Sequence, residues 1–180
     1  MATWQCNIDF LSADGLMSEL GTIPDKLPDT YLPASAHQDS SADHHGDPRA
    51  IFWMHKKRND FNQLIAELSF KLPEVNWLKD VADVFSWGNE DTNDLTLSFG
   101  DDKCVESFGC RIDLRELDED FISLVLEICT SRNYLLSDRK GNIKIPSRHE
   151  LGKLLAKSNA ANFVADPKKF LRDSGLDKSK

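Results

Sequence analysis

Apolar and polar positions alternate along residues 4–11, WQCNIDFL. Trp4, Cys6, Ile8 and Phe10 fall on one side and Gln5, Asn7 and Asp9 on the other, which predicts a first strand. The same period of two returns at Leu95, Leu97 and Phe99. After a turn at Gly100–Lys103 it returns again at Phe108, Cys110, Ile112 and Leu114, so residues 95–115 read as a hairpin. Arg111, Asp113 and Arg115 occupy the polar side of its second strand, where a cross-strand ladder of ion pairs is expected. Tyr134–Ser137 and Ile143–Ile145 flank DRKGN and predict a second hairpin.

Between these stretches the period changes to that of a helix. Phe61, Leu64, Ile65 and Leu68 form one stripe after a cap at Asn59 or Asp60, and Pro73 ends it. Trp77, Leu78, Val81, Ala82 and Phe85 predict a second helix over 76–85. Asp118 caps a third, with Phe121, Leu124, Val125 and Ile128 inward. Ser147 and Glu150 make a capping box before Leu151, Leu154 and Leu155. Asp166-Pro167 opens a short final helix, and the tail at 175–180 is expected to fray. Residues 12–49 break the pattern with four prolines, three glycines and many Asp and Ser, and predict a long irregular loop with at most a helical turn at 15–20. Ala50–His55, a continuous apolar run, reads as a short buried strand. The expectation is a single α+β domain over 1–180: an antiparallel sheet of two hairpins and an N-terminal strand, packed against about four helices.

Composition bounds the function. The chain has 180 residues, 40% of them hydrophobic and 29% charged, which suits a folded domain. No apolar run reaches the ~18 residues of a membrane helix, and MATWQCNIDF has no secretory-signal pattern, so no membrane partner and a cytoplasmic location are expected. Cys6, Cys104, Cys110 and Cys129 lack CxxC spacing and read as free thiols. Cys104 and Cys110, six apart on one strand, would stand about 20 Å apart.

The net charge of −8 is uneven. Residues 78–120 hold 13 acidic and 4 basic side chains, whereas residues 121–180 hold 6 acidic and 12 basic. An acidic field repels nucleic-acid phosphates and speeds encounter with a basic partner, so no nucleic acid is expected, although residues 139–157 supply a local basic patch.

Candidate chemistry is sparse. HQDSSADHHGD at 37–47 gathers His37, His44 and His45 with Asp39, Asp43 and Asp47, enough ligands for zinc. Adjacent His44 and His45 diverge on any regular element, and no HExxH is present, so the spacing favours a solvated loop. GNEDTND at 88–94 lacks the central Gly and distal Glu of a calcium loop. Cys129 lies beside an apolar helix stripe, where a cysteine acts as a small hydrophobe. No catalytic residue, metal ligand or cofactor is assigned.

RIDLRELDEDFISLVLEIC and SNAANFVADPKKFL together resemble small bacterial immunity proteins of polymorphic toxin systems. Arg111, Asp113, Arg115, Ser158, Phe163 and Asp166-Pro167 carry the similarity over about a third of the chain. The resemblance implies a non-enzymatic role in which an acidic protein occludes a toxin, and it transfers no functional residues. The expected partner is therefore a protein, such as a basic toxin domain, met by Glu90, Asp91, Asp94, Asp101 and Asp102. Two alternatives stay open: a metal-dependent hydrolase built on the His/Asp-rich loop, and a homo-oligomeric regulatory protein.

Overall fold

The structure is a computed structural model that describes residues 4–32, 47–75 and 83–173. Its six strands are β1 (Gln5–Ser12), β2 (Val84–Gly88), β3 (Asp94–Phe99), β4 (Val105–Asp113), β5 (Tyr134–Ser137) and β6 (Ile143–Lys144). The α-helices among the described residues are α1 (Ala13–Leu20), α2 (Asn62–Lys71), α3 (Glu119–Ser131), α4 (Arg148–Ala156), α5 (Asn159–Ala165) and α6 (Pro167–Asp173). The class is α+β, as the alternation of periods predicts. All five strand pairings are antiparallel, in the order β2-β3-β4-β1-β5-β6.

Register decides which side chains meet. Ile8 pairs with Cys110, which pairs with Leu95, which pairs with Trp87, so one apolar rung crosses four strands. Phe10, Phe108, Cys6 and Ile112 extend that face, and α2, α3 and α4 cover it with Leu64, Leu68, Phe121, Val125, Leu151 and Leu154. On the opposite face Leu11 and Leu135 start a smaller core with Ala13, Leu16, Leu27, Phe52 and Ile143. The two cores share one connector. A 3₁₀ segment, Pro48–Trp53, places Phe52 in the smaller core and Trp53 in the larger.

That connector corrects the strand expected at Ala50–His55. Asp47 accepts from the Arg49 N–H at 2.9 Å and Pro48 supplies a preset φ, so the run coils instead of extending. The loop expected over 12–49 is also shorter than its composition predicts. Ser12 caps α1 by accepting from Gly15 N, and Gly21, at φ 69°, closes it with its N–H on the Met17 carbonyl. Gly15 is required there. A Cβ at that position would lie 1.8 Å from the Phe52 carbonyl oxygen.

The helix expected over 76–85 falls mostly outside the described residues. At its end, Asp83 has φ 62°, and Val84 and Phe85 belong to β2. Asp118 and Ser147 cap as predicted, Asp118 accepting from Asp120 N and Phe121 N and Ser147 from Glu150 N, but the Glu150 carboxylate pairs with Lys153 and Ser147 N donates to Ile145 O, so the expected box stays half formed. Helix α5, capped by Ser158, has no counterpart in the expected pattern. The expected frayed tail lies outside the described residues.

Both sheet edges carry extra chain. Val75 N donates to Ser86 O and Gly88 N to Pro73 O along β2, and Ile143 N donates to Asp25 O beside β6. These contacts occupy polar groups that would otherwise pair with another molecule.

Candidate partner-binding surface

The acidic residues singled out from the sequence do not form one surface. Glu90 and Asp91 are exposed in the β2–β3 turn, and Asp101 and Asp102 are exposed in the β3–β4 turn. Strand β3, six residues long, separates the two turns by about 20 Å. Asp94 requires a correction: it is 1% exposed, and Arg111 holds it through Nε at 3.0 and 2.8 Å and through Nη2. Antiparallel register sets residue 94 opposite residue 111 and so creates this rung of the expected ladder. Asp94 is a structural anion.

Asp102 is occupied locally. Its Oδ1 accepts from Cys104 N at 2.9 Å, and that backbone bond holds its pKa below the ordinary carboxylate value. Asp83, in the same corner, is lowered chiefly by its bond from Lys103 and also meets Arg58. The Asp101–Asp102 end is thus interleaved with cations.

The other end is more acidic and firmly built. Gln5, 4% exposed, donates through Nε2 to the carbonyls of Glu90 at 2.9 Å and Thr92 at 2.6 Å. Asn93, also buried, accepts from Asp113 N at 2.8 Å. Asp113 accepts from Arg115 through both oxygens, and these bonds hold its pKa below the ordinary value. Arg115 Nη2 donates to the Asp91 carbonyl at 3.0 Å, and its guanidinium lies 4.3 Å from the centre of the Trp4 ring. Stacking of this kind contributes about 0.5–1 kcal/mol at an exposed site.

Arg115 therefore brings the β4–α3 connection beside the β2–β3 turn. Glu116, Leu117, Asp118, Glu119 and Asp120 are all exposed, with Leu117 at 50%. The resulting corner combines a pinned turn, an aromatic–arginine stack, one uncovered leucine and a majority of carboxylates. Sequence reasoning did not single out Leu117, whose signal was an apolar residue inside an acidic run, outside the stripe of the helix that follows.

The remaining chemical candidates have plain positions. His37, His44, His45, Asp39 and Asp43 lie outside the described residues, and no group of three metal-ligating side chains occurs among those described. Asp47 binds Arg49 through both oxygens. Cys129 and Cys110 are buried in the main core, and burial pushes both thiols well above their ordinary pKa. No helix among the described residues is long and apolar enough to cross a membrane. Comparison with family models, curated proteins and solved structures finds no match.

Proposed function

We propose that the protein is a cytoplasmic binding domain that engages a basic protein partner through the corner formed by Glu90, Asp91, Glu116 and Leu117. The observation that carries this reading is the pinning of the β2–β3 turn by Gln5, Asn93 and Arg115. A turn held on three sides loses little entropy on binding, and its exposed carboxylates draw a cationic surface into encounter. Leu117, exposed two residues after Arg115, supplies the apolar anchor that charge alone lacks. In the finer form of the proposal the partner is a toxin domain, neutralised by occlusion, in keeping with the resemblance of residues 111–129 and 158–171 to immunity proteins.

The test starts with the products of the genes flanking its own, purified and titrated by biolayer interferometry from 20 to 500 mM NaCl. Binding with an on-rate that falls at least tenfold over this range supports the proposal. So does a further tenfold fall in Glu90→Lys/Asp91→Lys/Glu116→Lys, with Leu117→Ala acting mainly on the off-rate. An on-rate indifferent to salt and to the charge reversals would refute it.

A further inference from the structure

A second site lies along β1 and is bordered by Gln5, which also pins the turn of the acidic corner. Strand β4 borders β1 from Gln5 to Asp9, whereas β5 joins its other side only from Asp9 onward. The Gln5–Ile8 half of that side therefore faces no strand. The β5–β6 turn and the start of α5 stand beside it and leave a pocket of about 230 Å³. Its size is below the usual ~300 Å³ lower bound for drug-like ligands and suits a small metabolite.

The lining is cationic in a chain whose net charge is −8. Arg139 and Lys140 enter from the turn and Lys157 from the end of α4, with Ser158 and Phe170 beside them. The acid present, Asp138, is engaged by its own turn: Oδ1 accepts from Lys140 N at 3.0 Å and Asn142 N at 2.9 Å, and Oδ2 from Asn142 Nδ2 at 2.7 Å. With its amide turned to satisfy both groups, Asn7 accepts from Arg139 Nε at 3.3 Å and Nη2 at 3.2 Å, which orients the guanidinium. Lys140 and Lys157 make no ion pair among the described residues. Cys6 and Ala160 give the wall an apolar part, and Phe170 meets Phe163 edge to face at 5.7 Å.

We infer that this pocket binds a small organic phosphate monoester, the phosphoryl group on Arg139, Lys140 and Lys157 and a compact apolar group against Phe170. Three cations around one cavity match a dianion better than a single carboxylate. The apolar wall selects against inorganic phosphate, which has nothing to place there. This site shares no cation with the acidic corner and does not depend on the partner proposed for it.

The experiment is isothermal titration of the whole chain with phenyl phosphate, benzoate, inorganic phosphate and a phosphotyrosine pentapeptide. Phenyl phosphate is expected to bind at least tenfold more tightly than each of the other three. Arg139→Gln/Lys157→Gln should lower its affinity at least tenfold. Phe170→Ala should lower phenyl phosphate affinity at least threefold without changing that for inorganic phosphate. The replaced residues are at the surface or the pocket rim, and an unchanged melting temperature verifies that each variant is folded. Equal affinity for phenyl and inorganic phosphate, indifference to the double substitution, or tighter binding of the peptide would each overturn the assignment. So would the absence of heat at 5 mM phenyl phosphate.

Discussion

Arg49→Met is the substitution that tests most directly how the two cores are joined. Arg49 is 9% exposed, binds Asp47 through Nε and Nη2, and reaches Asp9 on β1 through Nη1. Burial raises the Asp9 pKa above its ordinary value, and Arg49 is the main influence pulling it back down. Methionine keeps much of the packing volume but leaves the Asp9 carboxylate, a quarter exposed, without its main cation. Breaking a buried pair in this way costs about 3–5 kcal/mol. For a chain of this size each kcal/mol shifts the melting temperature by about 2–4 °C, so a fall on the order of 6–20 °C is expected at pH 8.

The sign of the pH dependence follows from the same carboxyl group. A carboxyl whose folded pKa is raised binds its proton more tightly in the fold than in the unfolded chain. Its contribution is therefore most favourable below the unfolded value near ~3.9 and worsens as pH rises through the folded one. Without Arg49 the folded value rises further, so the variant should lie closest to wild type at pH 5 and furthest from it at pH 8. Adding Asp9→Asn should return most of the loss at pH 8, because an amide needs no counter-charge. Urea denaturation of wild type, the two single variants and the double variant at pH 5 and 8 makes the measurement. A loss independent of pH and not reduced by Asp9→Asn would refute the electrostatic account and leave packing as the cause.

Two further predictions concern the interior. Gly15→Ala should lower stability by about 3 kcal/mol or more, since overpacking costs 1–3 kcal/mol even where atoms can adjust and here the clash is with the Phe52 backbone; a melting temperature within 2 °C of wild type would show that α1 does not seat against Pro48–Trp53 as described. Ellman's reagent should label at most Cys104 in the native protein and all four cysteines in guanidinium, because Cys6, Cys110 and Cys129 are 5%, 5% and 0% exposed; rapid native labelling of two or more thiols would contradict that burial.

The parts of the fold that were legible are those where local pattern and tertiary role agree. Leu95, Leu97 and Phe99 alternate because one face of β3 is buried, and Asp118 precedes a stripe that α3 does bury. Where they disagree, the sequence misleads. The apolar run AIFWMH fits either a strand or a coil, and only the positions of Phe52 and Trp53 in separate cores decide it. Phe85 continues the helical spacing of residues 77–82, yet its neighbours in β2 pair with β3 and Asp83 sits at a left-handed φ. Helix α5 has only Ala160 buried, too little apolar periodicity to announce itself. The proposed surface was half legible. Acidity marked Glu90 and Asp91, but whether Asp94 was surface or interior depended on register with Arg111, which no local window contains.

The position of β1 in the sheet has a consequence for how the chain comes to be folded. Its neighbours are residues 105–113 on one side and 134–137 on the other. During synthesis β1 must wait for about ninety further residues before either flank begins to exist. Pairings this distant in sequence slow folding, and until they form the apolar face of Cys6, Ile8 and Phe10 is bare. A nascent chain paused before residue 105 should therefore be a client of holding chaperones, and one released after residue 145 should not. Ribosome-bound chains of the two lengths, probed for crosslinking at residue 8, would display the difference.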